Sequence, residues 1–156
     1  VHDYLEGRID LAIREVGSER PVSVAGFEVA ARETRHSMAG HAYRFAPADG
    51  ATDPEDGPIV FSGDTEAFGG MARFADGADV LVHDCSFPDE VDVSNHPTPT
   101  GLGNALADAD VDVRRLYLTH LYPHTQGRES EMKRAVAAAG FDGEVRIVRD
   151  GLRISV

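Results

Sequence analysis

The stretch Ile-Val-Phe-Ser-Gly-Asp-Thr at residues 59–65 joins a short apolar run to a glycine turn and an aspartate. The run predicts a β-strand, and Asp64 then lies just past its C-terminal end. A carboxylate that the backbone holds in this way is suited to binding a metal ion. His36 lies upstream and His120 downstream, each at the end of a predicted strand. We therefore expect the side chains of His36, Asp64 and His120 to share one metal site.

The residue types at these three positions match the needs of a two-metal hydrolase. Such a site requires imidazole ligands on each ion and a carboxylate that bridges both, with the ions about 3.5–4 Å apart. Asp64 is the natural bridge, because Gly63 permits close approach of the backbone. The spacings alone are weak support, since a single histidine is more often a surface or core residue than a ligand.

The bulk properties are those of an ordinary globular protein with one domain. The 156 residues, 42% apolar and 27% charged, are enough to bury a core. No apolar run is long enough to span a bilayer, and the first residues lack the features of a signal peptide, so a cytoplasmic location is expected. The single cysteine, Cys85, excludes an internal disulfide, and its apolar flank indicates a small core thiol rather than a nucleophile.

The charge is strongly acidic, with 27 acidic residues against 15 basic ones and a net charge of −12. An acidic surface repels phosphate backbones, which disfavours unaided binding of nucleic acid. Lys133 is the only lysine, and the other basic residues are arginines. A GC-rich genome or a halophilic source would each produce this composition; we favour the halophilic source, because few lysines and many acidic residues occur together.

The hydrophobic patterns predict a mainly β first part and a second part in which strands and helices alternate, hence an α/β fold. An acidic, proline-containing loop is expected over residues 46–58. Strands are predicted at 21–29 (two, around an Ala-Gly turn), 30–33, 42–45, 59–62, 80–83, 116–119, 145–148 and 152–156, and helices at 3–16 (weak), 66–75, 99–109 and 129–139.

These motifs, in this order, resemble the metallo-β-lactamase fold, and within it ribonuclease Z and its small-phosphodiesterase relatives. The resemblance covers the chain from about residue 22 to its end. It rests on five ordered elements: His36 followed at the family's spacing by Tyr43-Arg44, Ser62-Gly63-Asp64-Thr65, a strand ending in His83-Asp84, His96-Pro97-Thr98-Pro99-Thr100, and Leu118-Thr119-His120. The family has His-Glu where this chain has His83-Asp84, which leaves the role of Asp84 open.

The resemblance implies a role for each candidate residue. His36 would bind a first metal ion, His120 a second and Asp64 both, with zinc the first candidate and manganese or iron the alternatives. A hydroxide bridging the two divalent ions would attack the phosphorus. His96 would act as a catalytic histidine that is not a ligand, stabilising the phosphate oxyanion or protonating the leaving oxygen. No such role is expected for His41, His83 or His124, of which His124 is the least settled because it closely follows His120; His2 is expected at the surface.

The family's signature, His-x-His-x-Asp-His, does not occur in the sequence. We therefore expect residues 1–156 to form one partial domain, the C-terminal half of an αββα sandwich. The N-terminal half would be missing through truncation, be supplied by a partner chain or be lost altogether.

Two function classes follow. The first is a metal-dependent phosphodiesterase acting on a small phosphodiester or a related ester, with RNA a less suitable substrate. The alternative is a non-catalytic half-domain that keeps the fold but cannot hold both metals. Expected partners are a second copy, in a homodimer, or the missing half.

Overall fold

The computed structural model describes residues 15–17, 20–48, 57–91 and 93–154. The predicted helix at 3–16 lies outside these ranges except for its last two residues, which are not helical, and most of the predicted loop at 46–58 also lies outside them. The helices are α1 (Gly69–Phe74), α2 (Pro99–Asp108) and α3 (Glu129–Ala138), with a short 3-10 turn at Pro123–Thr125. The strands are β1 (Val22–Val24), β2 (Phe27–Glu33), β3 (His41–Pro47), β4 (Ile59–Phe61), β5 (Ala78–Asp84), β6 (Val113–Thr119) and β7 (Glu144–Ile147).

The strands form one mixed sheet of seven, in which the spatial order follows the sequence order. From β1 to β4 the neighbours pair antiparallel, and from β4 to β7 they pair parallel. Each parallel connection contains a helix, as parallel neighbours require. The α/β class expected from the alternating patterns is confirmed.

The helices pack on one face of the sheet. Leu81 and Leu116 are fully buried there, together with Met71 of α1, Leu102 of α2 and Val136 of α3. This core accounts for the helix-like spacing of apolar residues in the second half of the sequence. The parallel strands are consequently anchored in the core, and their carboxyl ends have fixed positions relative to one another.

The opposite face of the sheet is also apolar. Val80, Val82 and Tyr117 form a smaller buried cluster on it. Cross-strand neighbours share a face, and the pairs Tyr43–Phe61 and Phe45–Ile59 extend this surface toward β3. Among these side chains, Tyr43 and Phe61 remain 39% and 46% exposed.

Two details differ from the sequence expectation. Residues 152–154, predicted as strand, follow a turn at residues 149–152 and are not in the sheet. The helix predicted at 66–75 begins only at Gly69, because Phe68 has an extended backbone and starts the helix without a side-chain cap. The remaining predicted strands and helices in the described ranges are present within a few residues of their expected bounds.

Candidate metal centre

The carboxyl ends of three parallel strands bring the candidate residues together. Asp64 follows β4, Asp84 is the last residue of β5, and His120 comes directly after β6. Because parallel strands end at the same edge of a sheet, their terminal side chains meet there, which is where open α/β sheets place their ligand sites.

The turn that carries Asp64 depends on Gly63. Its φ is +61°, and a Cβ at this position would lie 3.2 Å from the carbonyl oxygen of His41. Glycine meets both constraints without strain. The Asp64 side chain is half exposed, so its carboxylate is free to face a ligand.

Asp84 is the centre of the cluster, and solvent does not reach it. Its Oδ2 accepts hydrogen bonds from His96 Nδ1 at 2.6 Å and from the Thr65 amide at 3.3 Å, and its Oδ1 accepts one from Ser86 Oγ at 2.6 Å. A buried carboxylate is tolerated when it is hydrogen-bonded in this way. Asp84 therefore ties the β4 and β5 loops to the histidine that precedes α2.

His120 completes the opposite side of the cluster. Its backbone has φ +58°, a conformation that is unfavourable for a residue with a Cβ and that clusters at functional sites. Its Nδ1 lies 3.0 Å from Ser86 Oγ, 3.6 Å from Asp84 Oδ1 and 3.7 Å from Asp64 Oδ1. The Ser86 hydroxyl donates to Asp84, so its oxygen accepts the proton on His120 Nδ1. The Nε2 of a neutral His120 then carries a lone pair.

His36 reaches the cluster through His96, with 3.4 Å between the two Nε2 atoms and 5.0 Å between the ring centroids. The expectation that His36 ends a strand is wrong: β2 stops at Glu33, and His36 lies in the following loop. This loop is anchored by two hydrogen bonds, from the Arg35 amide to Thr65 Oγ1 and from the Glu66 amide to the Arg35 carbonyl. The two bonds hold His36 beside the loop that contains Asp64.

Comparisons with known proteins agree on the fold. No family model matches the sequence. The chain is 35% identical over 112 residues to ribonuclease Z from Halobacterium salinarum, an alignment that covers 69% of this chain and 35% of the relative. Its structure superposes on the metallo-β-lactamase fold protein YhfI from Bacillus subtilis with a TM-score of 0.70 and 23% identity, covering 87% of this chain and 51% of YhfI. Human tRNase Z, short form, gives a TM-score of 0.58 and 20% identity, with 86% of this chain and 45% of that one covered. The chain is a metallo-β-lactamase-fold protein related to ribonuclease Z.

This metallo-β-lactamase-fold chain spans only about a third of the length of the ribonuclease Z relatives that it matches. Within the described residues, no helix is both long and apolar enough to cross a membrane.

The predicted site residues lie near one another in the structure. The closest contacts, however, are not among His36, Asp64 and His120, the three ligands that the sequence predicted. Among the described residues, the tightest group of metal-binding side chains is Asp84, His96 and His120, whose ligand atoms all lie within 4.8 Å of one another. Asp64 touches this group through His120, and His36 touches it through His96. Sequence reasoning left Asp84 open; its position at the end of a fully buried strand, just before Ser86, was the available signal.

His83 and Cys85, the neighbours of Asp84 in the sequence, are buried and are not expected to react. Burial lowers the pKa of His83, only partly offset by a hydrogen bond to the Asp84 carbonyl and by the Asp84 charge, so this histidine is neutral. Burial, followed by the charges of Asp84 and Asp89, raises the pKa of the Cys85 thiol. A buried thiol with a raised pKa is a poor nucleophile, which agrees with the core role expected for Cys85.

Proposed function

We propose that this chain supplies one half of the active site of a metal-dependent phosphodiesterase that uses two divalent ions and a bridging hydroxide. The observation that carries the proposal is the convergence of His36, Asp64, His96 and His120 around the buried Asp84 at the carboxyl ends of the parallel strands. The relatives named ribonuclease Z, with which the chain shares about a third of its aligned residues, support a hydrolase.

The donor set fits a divalent transition metal. Imidazole and carboxylate groups accept zinc, manganese and iron alike, and zinc is the first candidate. His36 and Asp64 would hold one ion, and Asp64 and His120 the other. When bound, the two ions supply an acidic water as nucleophile and positive charge for the phosphate.

His96 is the residue that we assign to proton transfer. Its Nδ1 proton is held by the buried Asp84 carboxylate, which fixes the tautomer and the ring orientation. In its protonated form the ring also carries a proton on Nε2, which can donate to a phosphate oxygen. As the P–O bond breaks, Nε2 gives this proton to the leaving oxygen, and neutral His96 remains.

The charge of the chain supports a small substrate over RNA. A net charge of −12 opposes the approach of a polyanion, whereas one phosphodiester is neutralised locally by the bound cations. The chain itself offers two predicted ligands to each ion, and catalytic zinc normally takes three. We therefore propose that residues 1–156 are the C-terminal half of a sandwich and that the other ligands come from an N-terminal half or a partner subunit.

The test is metal content and hydrolysis of bis(p-nitrophenyl) phosphate by the complete protein that carries these residues. The expected result is two metal ions per chain, with turnover abolished by a chelator and restored by zinc or manganese. The variants His36→Ala, Asp64→Asn and His120→Ala should each lower metal content. His41→Ala, which removes an exposed histidine on β3, should leave metal content unchanged. A metal-free, inactive complete protein would reject the proposal in favour of a non-catalytic half-domain.

A further inference from the structure

β7 (Glu144–Ile147) is the last strand at one end of the sheet, and among the described residues it pairs only with β6. The Val148 amide donates to the Leu118 carbonyl at 2.9 Å, so the backbone groups of the even-numbered residues along β7 face β6. Because successive residues of a strand direct their N–H and C=O groups to opposite sides, those of Val145 and Ile147 point outward. Such an edge is a template for one more strand, and β7 contains neither a proline nor a bulge that would prevent pairing.

A groove of about 390 Å³ lies beside this edge, on the helical side of the sheet. Val145 packs against the core beneath the helices, which fixes the side. One wall is an exposed stripe of α3, whose residues are three and four positions apart and therefore neighbours on the helix surface. The lining residues, which define the β7 groove, are Ser130, Lys133, Arg134, Ala137, Gly143 and Val145. A strand added beside β7 would direct every second side chain into the β7 groove.

The β7 groove is basic, although the chain has a net charge of −12. Lys133 and Arg134 are exposed, and no acidic residue lines the groove. Among the described residues, neither of these two basic side chains forms an ion pair. Glu131 lies close enough to Arg134 for their charges to interact, but this carboxylate is bound by Arg128 at 2.5 Å. Both cations are thus available to a negatively charged partner.

We infer that the β7 groove is a docking site for an acidic, extended segment of a partner protein, which adds to the sheet as an eighth strand. The outward N–H and C=O groups of Val145 and Ile147 bind the backbone of this segment. Lys133 and Arg134 bind carboxylates that occur at every second position of the segment. A nucleic acid would contact the two cations but has no peptide backbone to pair with β7. The inference does not depend on the proposed hydrolase function.

A second copy of the chain fits this edge less well than an acidic segment does. Two β7 strands related by twofold symmetry would pair antiparallel and place both α3 helices on the same side of the joined sheet. The Lys133 and Arg134 side chains of the two copies would then face one another across the junction, and like charges so placed repel.

The experiment measures the binding of fluorescent peptides to the complete protein that carries these residues, by anisotropy and by hydrogen exchange of backbone amides. The acidic probe is acetyl-Thr-Glu-Thr-Glu-Thr-Glu-Thr-amide, and the comparison peptide has lysine in place of each glutamate. We expect saturable binding of the acidic peptide alone, with slower exchange of the Val145 and Ile147 amides. The amides of Arg146 and Val148, which already bond to β6, should exchange as before.

The variant Lys133→Glu with Arg134→Glu should weaken the acidic peptide by about tenfold or more and allow the lysine peptide to bind, because the groove would then carry the opposite charge. Arg20→Glu with Arg153→Glu is the matched control: it changes the net charge equally, at exposed positions outside the groove, and should leave binding intact. Val145→Pro removes an outward N–H but no bond to β6, and should also weaken binding. An acidic peptide methylated on its backbone nitrogens provides the same test if this variant does not fold.

Three results would overturn the inference as a purely electrostatic effect: equal binding of the methylated and unmethylated acidic peptides, unchanged binding after the double charge reversal, or binding of oligodeoxythymidylate that the reversal abolishes. Absence of any peptide binding would also reject it. Slow exchange of the Val145 and Ile147 amides without peptide would assign the edge to another part of the protein or, if the protection rises with protein concentration, to a second copy.

Discussion

His96 Nδ1 lies 2.6 Å from Oδ2 of Asp84, a carboxylate that solvent does not reach. Because a carboxylate can only accept, Nδ1 carries the proton and Nε2 is the atom turned toward His36. The pair therefore sets which nitrogen of His96 is available for chemistry.

We predict that His96→Ala in the complete protein lowers turnover of bis(p-nitrophenyl) phosphate by about a hundredfold or more, the usual cost of one lost transition-state donor. Metal content should stay at the wild-type value, because His96 is assigned no metal. Steady-state kinetics and elemental analysis of the same sample measure the two effects. A loss of metal as large as the loss of turnover would make His96 a ligand and remove its assigned role.

Asp84→Asn should lower turnover without changing the shape of the site. The amide keeps the volume of the carboxylate but loses its charge and one acceptor, so the donors of Thr65, Ser86 and His96 can no longer all be satisfied. An unsatisfied buried donor costs about 1–3 kcal/mol, so the midpoint temperature of thermal unfolding should be lower than in the wild type. Asp108→Asn, at an exposed position of α2, is the control and should alter neither turnover nor the unfolding temperature; wild-type turnover by Asp84→Asn would contradict the positioning role.

The sequence predicted the position of a site residue correctly where that residue directly follows a β-strand. Asp64 and His120 follow apolar runs that form β4 and β6, and the periodicity of those runs is a local property. His36 was placed at a strand end, but the strand stops earlier and a loop positions the residue through hydrogen bonds to residues about thirty positions away. Such contacts depend on tertiary packing, which one sequence does not reveal.

Asp84 shows a second limit of sequence reasoning. Its importance comes from three donors, Thr65, Ser86 and His96. Ser86 is only two residues away, but Thr65 and His96 lie 19 and 12 positions from Asp84 and form no recognisable spacing with it. The strand predicted at 152–156 is absent over the described residues 152–154. Its alternation is typical of a strand, but these residues follow a turn closed by the Leu152 amide and the Arg149 carbonyl and do not pair with the sheet.

Gly103→Ala should destabilise the fold by about 1–3 kcal/mol, the usual cost of overpacking. An added Cβ at this position would lie 2.5 Å from the Val136 carbonyl oxygen and 2.7 Å from Ala139 Cβ, so α2 and α3 would have to separate. Gly101→Ala in the same helix is the matched control, because its nearest contact would be 3.4 Å from Thr98 Oγ1. That control should gain about 0.5–1 kcal/mol from helix propensity. Denaturant unfolding of both variants gives the comparison, and two shifts of the same sign would show that the α2–α3 contact is looser than described.

The 156-residue chain by itself should bind zinc or manganese weakly and hydrolyse bis(p-nitrophenyl) phosphate no faster than background. His36, Asp64 and His120 offer at most two protein ligands to each ion, and two ligands compete poorly with water and buffer for a catalytic metal. The chain should also self-associate through the apolar sheet face, where Phe27, Tyr43 and Phe61 are between 38% and 46% exposed.

Light scattering and elemental analysis after gel filtration measure both properties. Phe61→Ser should shift the chain toward monomer, because it removes the most exposed of the three rings on that face. Met38→Ser is the control: Met38 is 71% exposed but lies in the loop after β2 and not on a strand of the sheet, so its loss should leave the association unchanged. Robust turnover by a monodisperse monomer of this chain would show that its site is complete without further ligands, and the assignment of His36, Asp64 and His120 would have to be abandoned.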